Sequence, residues 1–384
     1  MKKIVVWLTV LITVMSVIVP VKAEGPEIEA PCAILTEAST GRVIYEKNAD
    51  ESLHPASITK IMTLLIIFDA VEDGSISPED TVTVSEHAAS MGGSQVFLEP
   101  GETQTVETMI KCIAIASAND ACVAMAEHIS GSEDAFVQSM NERAEALGMN
   151  NTHFVNCCGL DADGHMTTAR DVAIMSRELI MAHPAIHDYS CIWMDTITHV
   201  TRRGESEFVL NNTNKLLKQY EWATGLKTGS TSLAKFCLSA TARRNDIELI
   251  SVIMASPSGK TRVSDSIALL NYGYGICSLY HDNNMPSIDV IPIKGGIKSD
   301  ISVEYSSQMN YLFTDKYDAS LIESHAEYLE DLEAPVQKGD VIGQLTYTYD
   351  GKFMDSIDII ASESIEKAGY GDYINSLWQC FLGN

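Results

Sequence analysis

The chain has 384 residues, of which 46% are hydrophobic and 20% charged, a composition typical of a globular rather than a disordered protein. Its formal net charge of −26, without a basic stripe, argues against a nucleic-acid partner. The nine cysteines have no C-x-x-C or zinc-like spacing and do not indicate a disulfide scaffold. Cys112 and Cys122 lie in an apolar stretch and are predicted to be small core residues.

The first 23 residues have the pattern of a secretory signal peptide. Lys2 and Lys3 precede an uncharged apolar run over residues 4–19, and Ala23 provides a small residue at the cleavage position. Cleavage there removes three lysines and brings the net charge to −29. An uncleaved membrane anchor is the alternative, because the apolar run approaches spanning length. Either way, we expect the rest of the chain to lie outside the cytoplasm.

The next 230 or so residues alternate between strand and helix patterns. A β-hairpin is predicted over residues 32–45, and a helix with buried positions at helical spacing follows over residues 55–74. Further helices are predicted over residues 106–128, 133–146 and 169–181, and strands over residues 236–242 and 248–254. This order indicates an α+β fold in which helices pack on an antiparallel sheet whose first and last strands meet.

After a predicted larger domain over residues 24–284, the pattern changes to short β-rich runs separated by Gly, Asp, Asn and Pro. We predict a small all-β domain over residues 285–361. In the tail, residues 362–384, one helical face carries five apolar or aromatic side chains: Tyr373, Ile374, Leu377, Trp378 and Phe381. This face predicts an amphipathic segment that contacts a membrane, and packing on the protein stays an open alternative.

Ser57 and Lys60, in the stretch PASITK, are the first candidate catalytic pair. Positions i and i+3 of a helix share a face, so the hydroxyl and the amine can approach each other. Pro55 favours a helix start, which puts Ser57 in a first turn whose free N–H groups suit an oxyanion. A lysine amine is protonated at neutral pH and needs burial or a second cation nearby to act as a base. By itself the pair is a weak signal.

Two later motifs strengthen it. Ser117-Ala118-Asn119 follows Ser57 by sixty residues, and Lys227-Thr228-Gly229 lies on a predicted strand. Lys227 supplies the second cation that Lys60 needs, Ser117 can pass a proton toward a leaving amine, and Asn119 can hold a substrate amide. The ordered set S-x-x-K, S-x-N and K-T-G is a known signature of penicillin-binding proteins and class A β-lactamases.

Longer stretches extend this likeness, among them GGSQVFLEPGE, ASANDACVAMAEHISGSEDAF, GLDADGHMTTARDVAIMSREL and GLKTGSTSLAKFCLSATA. Residues 32–280 resemble the D-alanyl-D-alanine carboxypeptidases, the low-molecular-mass penicillin-binding proteins. APVQKGDVIGQL is similar to part of their second domain. The resemblance implies a β-lactamase/DD-peptidase-like antiparallel sheet with helices, plus a small C-terminal all-β domain.

The resemblance also implies a role for each motif residue. Ser57 is the serine that becomes acylated, Lys60 is its base, and Ser117 is the third catalytic residue. The implied substrate-binding residues are Asn119, Lys227, Thr228, Ser230 and Arg262. The backbone N–H groups of Ser57 and Ser230 are the implied oxyanion donors. The implied partners are a peptidoglycan stem peptide ending in D-Ala-D-Ala and β-lactam antibiotics, without a metal or cofactor.

Departures from the family pattern keep alternatives open. Ala118 replaces the aspartate of class A β-lactamases, and an E-x-x-L-N match beginning at Glu207 lies in the wrong place to drive deacylation. Cys158 stands in a loop beside the implied active site, where members of the family often carry histidine or another polar residue, which leaves the deacylation rate open. Transpeptidation or weak β-lactamase activity on the same site is one alternative. A non-catalytic wall-binding protein is another, which the presence of all three motifs disfavours.

A metal site at His183 and His187 is not predicted, although the two have the i, i+4 spacing of helical metal ligands. Pro184 lies between them, and the sequence places no acidic third ligand nearby.

Overall fold

The computed structural model of the chain describes residues 25–201, 204–288, 290–372 and 374. The predicted signal peptide and four members of the predicted tail face lie outside the described residues; these four are Tyr373, Leu377, Trp378 and Phe381. Within the described part of the chain, no helix combines the length and apolar character that crossing a membrane requires.

The helices and strands follow the predicted order along the chain. The α-helices in the described ranges are α1 (Lys60–Glu72), α2 (Glu86–Ala89), α3 (Val106–Ala116), α4 (Asn119–Ser130), α5 (Glu133–Ala146), α6 (Ala169–Ala182), α7 (Ile186–Ser190) and α8 (Gly259–Ile276). The first nine strands are β1 (Cys32–Glu37), β2 (Val43–Lys47), β3 (Thr81–Thr83), β4 (Thr103–Thr105), β5 (Met194–Thr201), β6 (Gly204–Asn211), β7 (Ala223–Thr231), β8 (Lys235–Arg244) and β9 (Ile247–Ser256). The later strands are β10 (Ser278–His281), β11 (Ile291–Pro292), β12 (Asp300–Ile301), β13 (Val303–Tyr305), β14 (Asn310–Phe313), β15 (Ile322–Tyr328), β16 (Val341–Tyr349) and β17 (Lys352–Ala361).

A five-stranded antiparallel sheet with the order β2-β1-β9-β8-β7 forms the centre of the larger part of the chain. As predicted, its first strands meet its last strand, because β1 pairs with β9. Ile34 and Val252 lie in an apolar core with α1 and α6, whereas Leu35 and Ile253 lie in a second core with α8. Successive side chains of a strand point to opposite faces, so a sheet covered on both faces needs continuous apolar runs.

The C-terminal part is built from strands. β13, β17, β16 and β15 form a four-stranded antiparallel sheet in that order, and β10 pairs with β14 and β11 with β12. Two small apolar cores support these strands, one containing Ile301 and Ile342 and the other containing Leu345 and Tyr347. The predicted fold class, an α+β fold followed by a small all-β part, is confirmed.

Two local predictions differ from the structure. The single helix predicted over residues 106–128 is wrong, because α3 ends at Ala116 and α4 begins at Asn119. Ser117, between them, has φ +62° and ψ +33°, a left-handed conformation that interrupts a right-handed helix. The first turn of the helix that carries Ser57 is also tighter than predicted, since residues Ala56–Thr59 form a 3-10 turn before α1.

Candidate active site

Ser57 lies in the 3-10 turn that leads into α1. Ala56, just before it, has φ +48°, and both Ala56 and Ile58 are buried, so the turn is fixed on either side of the serine. Ser57 itself is half-buried. Lys60 is the first residue of α1, and its Nζ lies 3.1 Å from Ser57 Oγ. The predicted pair is therefore in direct hydrogen-bond contact.

The amine of Lys60 is fully buried and has two further partners. Asn119 Oδ1 lies 2.6 Å from Nζ, and the backbone carbonyl of Cys158 lies 2.7 Å from it. A neutral amine has two hydrogens and one lone pair. These two carbonyl oxygens accept both hydrogens, and the lone pair then faces the hydroxyl of Ser57. The geometry thus suits an amine that takes the serine proton.

Lys227 forms a second buried cation next to this pair. It lies on β7 and is 1% exposed, and its Nζ donates to Ser117 Oγ at 2.8 Å and to the Thr228 carbonyl at 3.1 Å. Burial, and then the nearby charge of Lys60, hold the pKa of Lys227 well below its usual value. The left-handed conformation of Ser117 aims its hydroxyl at this amine. The second and third motifs therefore meet at one hydrogen bond.

Asn119 is engaged at both ends of its amide. Its Oδ1 accepts from Lys60, and its Nδ2 donates to the Gly92 carbonyl at 2.6 Å. Its backbone N–H donates to the Ser94 carbonyl at 2.7 Å. The side chain is 3% exposed. In this structure the Asn119 amide orients the lysine, and its role in holding a substrate amide stays a prediction.

β7 packs directly against the turn that carries Ser57. A Cβ on Gly229 would lie 3.0 Å from the Ser57 backbone nitrogen and 2.9 Å from the Pro55 carbonyl oxygen, so only glycine fits there without a shift. Ser230, the next residue, is exposed beside the serine. Thr228 is buried, and its hydroxyl is 2.6 Å from that of Thr213. The close packing of Gly229 against the turn brings together the two predicted oxyanion donors, the backbone N–H groups of Ser57 and Ser230.

Arg262, on α8, lies behind β7. Its Nη1 donates to the carbonyls of Gly229 at 3.0 Å and Cys237 at 3.1 Å, which joins β7 to β8. Burial lowers the pKa of this guanidinium. The arginine thus supplies positive charge next to Lys227 and Thr228. All eight site residues predicted from the sequence lie around this one group of motifs.

The comparisons with known proteins agree with this arrangement. The family model described as D-alanyl-D-alanine carboxypeptidase matches residues 19–258, and that of the penicillin-binding protein 5 C-terminal domain matches residues 280–367. The D-alanyl-D-alanine carboxypeptidase DacF of Bacillus subtilis (strain 168) is 41% identical over 345 residues, which cover 89% of this chain and 87% of the relative. The chain belongs to the D-alanyl-D-alanine carboxypeptidase family. The family and enzyme class predicted from the motifs are confirmed.

Two solved structures have the same fold. Penicillin-binding protein 5 from Haemophilus influenzae has a TM-score of 0.76 at 29% identity, with 90% of this chain and 99% of that chain covered. The Streptomyces K15 DD-transpeptidase has a TM-score of 0.62 at 28% identity, with 66% of this chain and 99% of that chain covered. The proteins similar to this chain therefore include one named as a carboxypeptidase and one named as a transpeptidase.

The loop that carries Cys158 completes this carboxypeptidase-family centre through backbone contacts that the sequence did not predict. Thr63 Oγ1 donates to the Cys157 carbonyl at 2.6 Å, beside the Cys158 carbonyl that accepts from Lys60. A Cβ on Gly159 would lie 1.8 Å from the Ala56 carbonyl oxygen, and Gly159 has φ +85°. The loop therefore touches the Ser57 turn through backbone atoms, for which residue identities give little signal.

His165 is a further supporting residue that sequence reasoning missed. Its Nδ1 accepts from the Val155 backbone N–H at 2.9 Å, so its Nε2 carries the hydrogen and donates to Thr59 Oγ1 at 2.8 Å. Burial, together with the charges of His153 and His54, lowers the pKa of His165 to about 4. The neutral ring ties the loop to the turn that holds Ser57.

The imidazoles of His183 and His187 lie next to different carboxylates. His183 Nε2 lies 2.7 Å from Asp69 Oδ1, whereas His187 Nε2 lies 3.0 Å from Glu248 Oε1. His183 Nδ1 also lies 3.4 Å from Glu72 Oε2, and none of these carboxylates is shared between the two histidines.

We expect Gly229→Ala to slow acylation by a β-lactam about 10²-fold, the usual effect of losing one oxyanion donor. The added Cβ displaces the Ser57 backbone N–H. Acylation rates with a fluorescent penicillin provide the measurement. Gly259→Ala is the matched control, because its Cβ would meet only Phe236, at 3.6 Å. A Gly229→Ala protein that is acylated at the normal rate would contradict the close packing described here.

We expect the free energy of unfolding to fall by about 2 kcal/mol between pH 7 and pH 4.5 through His165 alone. Its folded-state pKa is about 4, below the ordinary value of 6.5, so in this window the unfolded chain takes up the proton first. Denaturant titrations at both pH values measure the change. The wild type should therefore lose about 2 kcal/mol more stability over this range than His165→Gln. His128→Gln replaces a histidine at an exposed position and should lose as much stability as the wild type. Equal losses in all three proteins would rule out the assignment.

Proposed function

We propose that the protein is a serine-type D-Ala-D-Ala carboxypeptidase that removes the terminal D-alanine from peptidoglycan stem pentapeptides, and that penicillins acylate the same serine. The observation that carries this proposal is the contact of 3.1 Å between Ser57 Oγ and the buried Nζ of Lys60. Two fixed carbonyl acceptors orient that amine toward the serine. The family's name for its activity supports the choice of substrate.

Acylation begins when Ser57 Oγ attacks the carbonyl carbon of the penultimate D-alanine and its proton passes to Lys60 Nζ. The backbone N–H groups of Ser57 and Ser230 stabilise the oxyanion that forms. The bond between this carbon and the nitrogen of the last residue then breaks. The proton on Lys60 Nζ then passes to the leaving nitrogen through the hydroxyl of Ser117, which contacts Lys227 Nζ at 2.8 Å, and Lys60 is neutral again for the next step. Free D-alanine departs, and the peptide stays on Ser57 as an ester.

Substrate binding relies on the charge around β7. The terminal carboxylate of the stem peptide is held by Lys227, Thr228 and Arg262, since two of these residues are cationic and the third donates a hydroxyl hydrogen. Asn119 is proposed to hold the substrate amide as well as to orient Lys60. In deacylation, a water molecule attacks the ester carbon with Lys60 as base, and Ser57 Oγ recovers its proton as the leaving group.

We also propose an extracytoplasmic location, with residues 1–23 acting as the signal peptide. Residues 24–284 then form the catalytic domain and residues 285–361 the small β-rich domain, an organisation in keeping with the two family models. The tail over residues 362–384 is proposed to contact the membrane surface through its apolar face. Peptidoglycan, the proposed substrate, is found on that side of the membrane.

Transpeptidation is the second candidate, favoured by the likeness to the Streptomyces K15 DD-transpeptidase. Both activities share the acyl-enzyme and differ only in whether water or an amine attacks it. Weak β-lactamase activity would follow from slow hydrolysis of the penicilloyl ester at the same serine.

Ser57→Ala should abolish both D-alanine release from a stem pentapeptide and covalent labelling by penicillin, because no other nucleophile contacts Lys60 among the described residues. Mass spectrometry of the protein and of its products measures both effects. Ser75→Ala, at an exposed position outside the site, is the control. Release of D-alanine at the normal rate by Ser57→Ala would disprove the mechanism.

With an added amine acceptor, we expect the tetrapeptide to form in at least tenfold excess over the cross-linked product, because the proposed reaction is hydrolysis. Chromatography of products with a stem pentapeptide and glycine tests this expectation. A dominant cross-linked product would instead assign transpeptidation. Turnover of a chromogenic cephalosporin in the same preparation measures hydrolysis of a β-lactam ester.

A further inference from the structure

Two adjacent thiols and one carboxylate form a compact group behind Lys60. One ligand atom each of Glu133, Cys157 and Cys158 lies within 4.8 Å of the others. Cys157 and Cys158 are 0% and 1% exposed, and the Glu133 side chain is 17% exposed. The group is therefore buried on the sulfur side and open to solvent on the carboxylate side. The proposed mechanism uses none of these three side chains.

The distances in the group match those around a tetrahedral zinc ion. The two Sγ atoms are 3.7 Å apart, and Cys157 Sγ is 3.3 Å from Glu133 Oε1. With Zn–S bonds of about 2.3 Å at tetrahedral angles, two sulfurs lie roughly 3.8 Å apart, and a sulfur and an oxygen roughly 3.6 Å apart. The three side chains thus need only small movements to share one ion.

The surroundings of Glu133 fit a carboxylate that binds through one oxygen. Its Oε2 lies 3.1 Å from His87 Nε2, on the far side from the thiols. Its Oε1, the oxygen that faces the thiols, also accepts from the Cys157 backbone N–H at 3.1 Å. Outer partners of this kind orient carboxylate ligands in metal sites. Ser132 caps α5 through its side chain, which holds Glu133 at a defined position in the first turn.

We propose that Glu133, Cys157 and Cys158 bind one thiophilic divalent cation of the Zn²⁺ class, with water in the fourth position. Two thiolates and a carboxylate are ligands that select Zn²⁺ over Mg²⁺ or Ca²⁺. The proposal does not depend on the proposed catalytic activity. A bound ion would join α5 to the loop whose Cys158 carbonyl accepts from Lys60.

Titration of the purified protein with Co²⁺ tests the site, after reduction by a phosphine and removal of metal with a chelator. We expect one equivalent to bind with a near-ultraviolet band from thiolate-to-cobalt charge transfer, and Zn²⁺ to displace it. Mg²⁺ should produce neither effect. Cys157→Ser should abolish the band, and His87→Ala should weaken binding about 10-fold, in the range observed for outer partners. Zn²⁺ should also raise the thermal unfolding temperature of the wild type but not that of Cys157→Ser.

Controls separate the site from loss of folding and from other thiols. Cys191→Ser removes an exposed thiol outside the group and should bind Co²⁺ as the wild type does. Glu133→Gln keeps the shape of the side chain, and we expect it to bind Co²⁺ at least tenfold more weakly while still reacting with a fluorescent penicillin.

Three results would overturn the proposal. The first is the absence of stoichiometric binding by the wild type. The second is binding that neither Cys157→Ser nor Glu133→Gln weakens. The third is failure of Cys157 and Cys158 to react with an alkylating agent in unreduced protein that has been denatured in the presence of a chelator, since a disulfide between them would consume both sulfur ligands.

Discussion

The catalytic centre depends on burying two lysine amines close to each other. An ammonium ion loses much of its hydration in a protein interior, and a second one nearby adds repulsion. Lys60 and Lys227 are nonetheless 0% and 1% exposed. Each amine is surrounded by oxygen atoms that come from different segments of the chain: Ser57, Asn119 and Cys158 for Lys60, and Ser117 and Thr228 for Lys227. The need to satisfy both amines explains why these segments converge.

That requirement accounts for the interruption between α3 and α4. In a continuous helix with 3.6 residues per turn, Ser117 and Asn119 would point about 160° apart. Only one of them could then face the lysines. The left-handed residue Ser117 turns the chain, so that its hydroxyl meets Lys227 while Asn119 begins a new helix and meets Lys60. The break is thus a consequence of the chemistry, and it costs backbone strain that the surrounding core must offset.

The same residues show how far the sequence could predict the fold and the site. Ser57, Lys60 and Lys227 could be identified because their chemistry resides in their side chains and motifs. The break at Ser117 could not, because α3 and α4 are both largely buried and the apolar pattern continues across it. The carbonyls of Cys158 and Gly92 could not either, since every residue has a carbonyl group. The meeting of the first and last strands was predictable because the apolar runs of the outer segments differ from the helical pattern between them.

Position 158 illustrates the difference between backbone and side-chain roles. The residue at this position is cysteine, yet its contact to Lys60 comes from the backbone oxygen. A change of side chain at this position therefore preserves the acceptor that orients the base. The Cys158 Sγ instead lies 3.5 Å from the Asn119 carbonyl and 3.7 Å from Cys157 Sγ. The Cys158 side chain thus packs behind Asn119 and Lys60. A substitution there can change how rigidly Lys60 is held, although every group that takes part in the reaction is kept.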